Sequence, residues 1–180
     1  MTGIYRGILI YLNNKKGIIN VKLHYIFWRY KKMIIKTTHF GEIEILEENI
    51  LDFEEGILGF EDIHKFGVIN SEDPESPFCW IQAIEKPELA FALVDPFAIR
   101  KDYDFELNEE SVSALGIDEP SQVAVYSIVV VPEDVKRISM NLKAPIIVNT
   151  NNKKAAQIIL NSEKYTVRHF IMDELQKQEV

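Results

Sequence analysis

An all-β, predominantly antiparallel domain with one or two short helices is the fold class this chain predicts, on three observations. Short runs of β-branched and aromatic residues recur from Gly41 to Ile171. The segments between them carry Pro, Gly, Asn, Asp or Ser, the residues that turn a chain back on itself. Helical periodicity is weak everywhere except one segment of nine residues.

"GEIEIL" (41–46) alternates strictly, with Glu42 and Glu44 on one face and Ile43 and Ile45 on the other, as a half-buried strand requires. Further strands are expected at "FGVIN" (66–70), "FCWIQAI" (78–84), "LAFALV" (89–94), "VAVYSIVVV" (123–131), "ISMNL" (138–142), "PIIVN" (145–149), "AQIIL" (156–160) and "TVRHFI" (166–171). "NEESVSALG" (108–116) is the helix: Asn108 can cap the first free N–H groups, Glu109 and Glu110 suit the positive end of the dipole, and Gly116 suits a left-handed exit. "EDIHKF" reads as a short turn and "MDELQKQ" as a frayed tail.

At 180 residues and 47% hydrophobic composition the chain can bury a substantial core. Charge divides it. Residues 1–32 hold seven Lys and Arg and no acid; the remaining 148 hold 13 bases against 28 acids, a net −15 behind the overall −8. An acidic body repels phosphate backbones, so direct nucleic-acid binding is not expected, and a basic or flexible protein is the better electrostatic match. The apolar stretch "GILIYL" is far shorter than the roughly 20 residues that cross a bilayer, so neither a membrane span nor a membrane partner is expected, the alternative for residues 1–32 being a basic, aromatic-rich arm for an anionic membrane or nucleic acid. "MIIKTTHFGEIEI" begins at Met33 like an ordinary protein start. Residues 1–32 therefore read as a non-native or disordered basic extension, and 33–180 as a single domain.

No nucleophile beside a base, metal cluster or phosphate loop is recognisable. The histidines at 24, 39, 64 and 169 are too scattered for a local zinc spacing. Cys79 sits in the apolar context "PFCWIQ" with no cation beside it, which reads as core packing in a reducing compartment. Asp102 and Asp104 alternate around Tyr103 and would share a strand face; in so acidic a chain the expected reading is a solvated sheet face. Asp95 precedes a proline and is expected to end its strand by bonding nearby N–H groups. Trp80 and Gln82 fall on one face, where they could line a barrel mouth or simply pack in the core. In "NLKAPIIVN" (141–149), Pro145 lacks an N–H, so the segment is expected to lie at a sheet edge, with Asn141 and Asn149 bridging the backbone groups left over.

"GILGFE" (56–61), "PFCWIQ" (77–82), "LAFALVDP" (89–96), "DYDFEL" (102–107) and "MNLKAPIIVN" (140–149), in this order, resemble the flagellar assembly factor FliW family over about residues 33–171. Departures are mild: the family often has Pro where Leu58 stands and Ser where Ala83 stands. The resemblance implies a compact β pseudo-barrel and a non-enzymatic cytoplasmic regulator with no cofactor. Its implied partners are the translational repressor CsrA, which such factors antagonise, and flagellin, with which they switch. The implied free state is a monomer. Contact is expected near "DPF", "DYDF" and "NLKAP", through Phe97, Tyr103, Asn141, Lys143 and Pro145. Two alternatives stay open: a small-molecule-binding β-barrel with convergent polar groups such as Gln82, and a hydrolase built on Asp102, Asp104 and a distant histidine.

Overall fold

The computed structural model describes residues 2–5, 8–15, 18–25 and 31–178, with side chains for 31–177. Two compact units divide it, Met1–Lys31 and Lys32–Val180. The first is an antiparallel meander of β1 (Thr2–Tyr5), β2 (Ile8–Lys15) and β3 (Ile18–Tyr25). Arg6, Lys16 and Arg29, on which its basic character partly rests, lie outside the described residues.

The second unit opens with a hairpin of β4 (Lys32–Thr37) and β5 (Gly41–Leu46), turned at Gly41 with φ 68°. The Thr37 hydroxyl closes that turn, donating to the Gly41 carbonyl (3.0 Å) and accepting from the Phe40 amide (2.9 Å). Ile35, Thr37 and Ile45 point inward and are buried, as the alternation of "GEIEIL" requires.

Seven strands then close into a barrel: β6 (Ile50–Phe53), β7 (Lys65–Asn70), β8 (Phe78–Ala83), β9 (Ala90–Val94), β10 (Val123–Val130), β12 (Ile146–Asn149) and β13 (Lys154–Gln157). An odd number of strands cannot close by antiparallel pairs alone. One pair must run parallel, and it is β13 with β6. Beyond the ring, β11 (Ser139–Met140) and β14 (His169–Phe170) extend the sheet from the far end of β10. Among the described residues three α-helices complete the fold: α1 (Pro96–Ile99), α2 (Glu109–Leu115) and α3 (Ile171–Gln178).

Two cores result, one on each side of β10. Ala124, Tyr126 and Ile128 face the barrel interior with Leu51, Phe53, Phe66, Ile81, Leu93 and Val148. Val125 and Val129 face outward, into a second core of Val94, Ile99, Tyr103, Met140, Leu142, Leu160, Tyr165 and Ile171. Inside the barrel, Phe53 and Phe66 meet edge to face at 5.3 Å, and Phe60 meets Phe91 at 5.4 Å, filling one end.

Sequence and structure agree on most elements and differ in informative ways. α2 forms as expected: Asn108 Oδ1 accepts from Ser111 N (2.8 Å), and Gly116 takes φ 63°. Cys79 is buried in the barrel core, where desolvation pushes its thiol up to about 11. The strand expected at 156–160 is instead Lys154–Gln157, and that at 166–171 shrinks to His169–Phe170. β6 carries no strand signal of its own, since "ILDF" lies among acids and is held between antiparallel β7 and the non-local parallel β13. The tail at 171–178 is a formed helix, because Ile171 is buried in the outer core. "NLKAPIIVN" is not an edge: β12 pairs with β10 on one side and β13 on the other.

Candidate partner-binding surface

The reason Pro145 is tolerated there is a bulge. Along β10 three positions separate Val129 from Tyr126, while their partners Met140 and Ile146 stand six apart, so three extra residues loop out between β11 and β12. Asn141 Oδ1 accepts from the Lys143 and Ala144 amides (3.1 and 2.9 Å), bridging the backbone groups as expected. The Pro145 carbonyl accepts from Ile158 N (2.9 Å), the Lys143 carbonyl accepts from Leu160 N (2.9 Å), and Lys143 Nζ donates to the Ser162 carbonyl. Asn149, 1% exposed, donates from Nδ2 to the Leu115 and Gly116 carbonyls (3.1 and 2.8 Å), fixing the end of α2 to β12.

The loop 95–107 packs against that bulge. Asp95 ends β9 by accepting from Phe97 N (2.8 Å), which starts α1 with Pro96 at its first position. Tyr103 is 3% exposed and donates its hydroxyl to the Leu142 carbonyl (2.9 Å). Burial, with Tyr165 beside it, pushes the phenol up strongly, so it is a neutral donor. Its ring meets Tyr165 edge-on at 4.7 Å, Phe105 at 5.2 Å and Phe97 at 5.7 Å.

Tyr165 is in turn clasped by two cations. Arg100 lies over its ring at 5.4 Å and pairs with Asp102 (3.0 Å); Lys164 lies at 5.2 Å and pairs with Asp104 (2.6 Å). The Arg100 hydrogen bond lowers the Asp102 pKa, and those of Lys164 and then Tyr165 lower that of Asp104. Both carboxylates are solvated, as expected, but on a loop rather than a strand. Neither bonds a histidine among the described residues; His169 pairs instead with Glu174 (3.0 Å). Among the described residues no group of His, Cys, Asp or Glu is arranged to hold a metal ion.

The five residues expected at a partner contact thus share one neighbourhood but not one role. Phe97 is 43% exposed; Asn141 and Lys143 are half-buried; Tyr103 and Pro145 are buried and shape the surface from beneath. Other exposed apolar residues join Phe97. α1 and the 3-10 turn Val135–Arg137 both pack on α3, which presents Met172 and Leu175, and Val135 in that turn is exposed as well. The signal for α3 was present in the sequence as the spacing of Ile171, Met172 and Leu175. Gln82 does not reach the barrel mouth. It faces outward, fully buried, and its Nε2 lies 2.9–3.3 Å from the carbonyls of Ala83, Lys86, Pro87 and Leu89, pinning that turn.

Residues 32–171 match the family model described as FliW protein. The chain belongs to the FliW family. It is 66% identical over 148 residues to the flagellar assembly factor FliW of Ruminiclostridium cellulolyticum, covering 82% of this chain and all of that one. The flagellar assembly factor FliW of Alkaliphilus metalliredigens is 46% identical over 147 residues, covering 82% of this chain and 91% of its own. A crystal structure of the flagellar assembly factor FliW superposes with a TM-score of 0.71 at 32% identity, over 77% of this chain and 96% of that one. FliW membership agrees with the β-barrel and short helices described above. No helix among the described residues is long and apolar enough to cross a membrane.

Proposed function

We propose that this chain is a non-enzymatic cytoplasmic regulator of flagellar assembly that binds and antagonises the translational repressor CsrA and binds flagellin in a partner switch. Family membership across residues 32–171 carries the role in flagellar assembly. The two named partners rest on the resemblance of the five ordered motifs. Two physical features support them. The net −15 of residues 33–180 favours encounter with a basic RNA-binding protein, chiefly through the association rate. Phe97, Met172 and Leu175 supply exposed apolar anchors of the kind that carry affinity. Residues 33–180 contain the working domain, and residues 1–32 are dispensable for binding.

The test is a calorimetric titration of the chain with the host's CsrA and flagellin, each alone and then together. Both should bind, and prior saturation with flagellin should reduce CsrA binding. Phe97→Ala combined with Met172→Ala should weaken at least one partner by about tenfold, roughly 1.4 kcal/mol. If neither protein binds the unmodified chain, the partner reading fails. If both bind and the double variant changes neither, the surface is misplaced while the function stands.

A further inference from the structure

The two ends of the barrel are filled differently. At one, Phe53, Phe66, Phe60 and Phe91 interlock. At the other the inward positions carry smaller side chains, Val68, Cys79, Ala124 and Val148, and leave a cavity of about 200 Å³ floored by Ile81 and Leu93. An engineered apolar cavity of about 150 Å³ admits benzene, so this one is large enough for a single ring or a branched chain. It is smaller than the roughly 300–1,000 Å³ of drug-sized sites, which sets the ligand's size.

Its polar lining is Glu48, Asn49, Asn70, Tyr126, Thr150 and Lys153, with Lys153 as its cation and Glu48 as its anion. Tyr126 lines the wall, and its hydroxyl makes no hydrogen bond among the described residues. Burial raises its pKa first, with Cys79 and Asp95 adding to the effect, so the phenol stays protonated and can donate. At the rim stand Glu48 and Lys153. Lys153 holds φ 65°, its amide tied to the Asn149 carbonyl at 2.9 Å, which fixes where its side chain leaves the turn. It is half-buried and makes no ion pair among the described residues, whereas Glu48 is exposed. A half-buried lysine with no ion pair gains more from a counter-ion than an exposed, hydrated carboxylate does.

We propose that this mouth binds a small carboxylic acid with a compact apolar body, of the size of benzoate or a branched short-chain fatty acid. The apolar part occupies the space above Ile81 and Leu93, and the carboxylate faces Lys153 and the Tyr126 hydroxyl. The site is independent of the surface around Phe97 and of the partners proposed for it.

Benzoate and its neutral isostere benzamide are the probes, titrated into the full chain and followed by amide and methyl NMR. Benzoate should shift Val68, Ala124 and Val148 with affinity near 1 mM, and benzamide should bind about tenfold more weakly. Lys153→Gln should remove that tenfold preference while leaving benzamide unchanged. Ala124→Phe, or Val68→Phe if the first does not fold, should abolish both. Absence of shifts at the mouth at about 20 mM benzoate, shifts confined elsewhere, or an unchanged benzoate-to-benzamide ratio in Lys153→Gln would each overturn the proposal.

Discussion

Replacing Gly67 by alanine should test how the β4–β5 hairpin is seated on the barrel. A Cβ at Gly67 would stand 2.1 Å from Ile45 Cδ1, and 3.2 and 3.3 Å from Ile45 Cγ2 and Cγ1. Rotation about the last side-chain torsion of Ile45 can move Cδ1 but not the other two carbons, so the hairpin must lift or Ile45 must leave its rotamer. Overpacking of this kind costs about 1–3 kcal/mol, and the single flexible contact argues for about 1–2 of that range. Gly67 lies in β7 at a negative φ, so alanine itself brings no backbone strain there. Ile45→Ala alone, at a site 3% exposed, should cost about 2–5 kcal/mol. In the Ile45→Ala background the same Gly67→Ala change should be neutral or slightly stabilising. The coupling from this double-mutant cycle, read from urea unfolding at constant slope, is then about 1–2 kcal/mol. Equal cost in both backgrounds would refute the seating of Ile45 on Gly67.

Tyr103→Phe leaves the buried Leu142 carbonyl without its 2.9 Å donor and should destabilise the chain by about 1–3 kcal/mol in thermal or denaturant unfolding, with little change in the bulge's backbone chemical shifts. Glu174, buried beside Lys177 (2.7 Å) and His169 (3.0 Å), has its pKa held below its ordinary 4.5, chiefly by the Lys177 hydrogen bond. A carboxyl depressed in the folded state contributes stability that is present above its unfolded pKa and lost as pH falls through the folded one. Acid titration should therefore loosen α3 below about pH 4.5, and Glu174→Gln should flatten that limb while lowering stability at neutral pH.

Much of the candidate surface was legible in local chemistry. The alternation of "GEIEIL", the Asn108 cap, the Asp95 strand end and the bridging role of Asn141 each depend on neighbours within a few positions, and local sterics and hydrogen bonding settle them. The grouping of Phe97, Tyr103 and the 141–145 segment also appears in the structure, through the Tyr103–Leu142 bond. Their exposure was not legible. Tyr103 and Pro145 look like surface residues, yet loop 95–107 tucks Tyr103 against the bulge and residues 158–166 run along the 143–145 backbone.

The sequence by itself determined the all-β class, the punctuation between strands, the first helix of any length and the acidic body, because periodicity, turn chemistry and charge are local or additive. Only the tertiary structure decided that seven strands close on themselves, that β6 forms between β7 and its parallel partner β13, and that "NLKAPIIVN" is an internal bulge rather than an edge. These are pairings between residues up to about a hundred positions apart, such as Asp52 with Lys154. Their free energy comes from burying both faces of a closed ring, which no single segment carries in its own pattern.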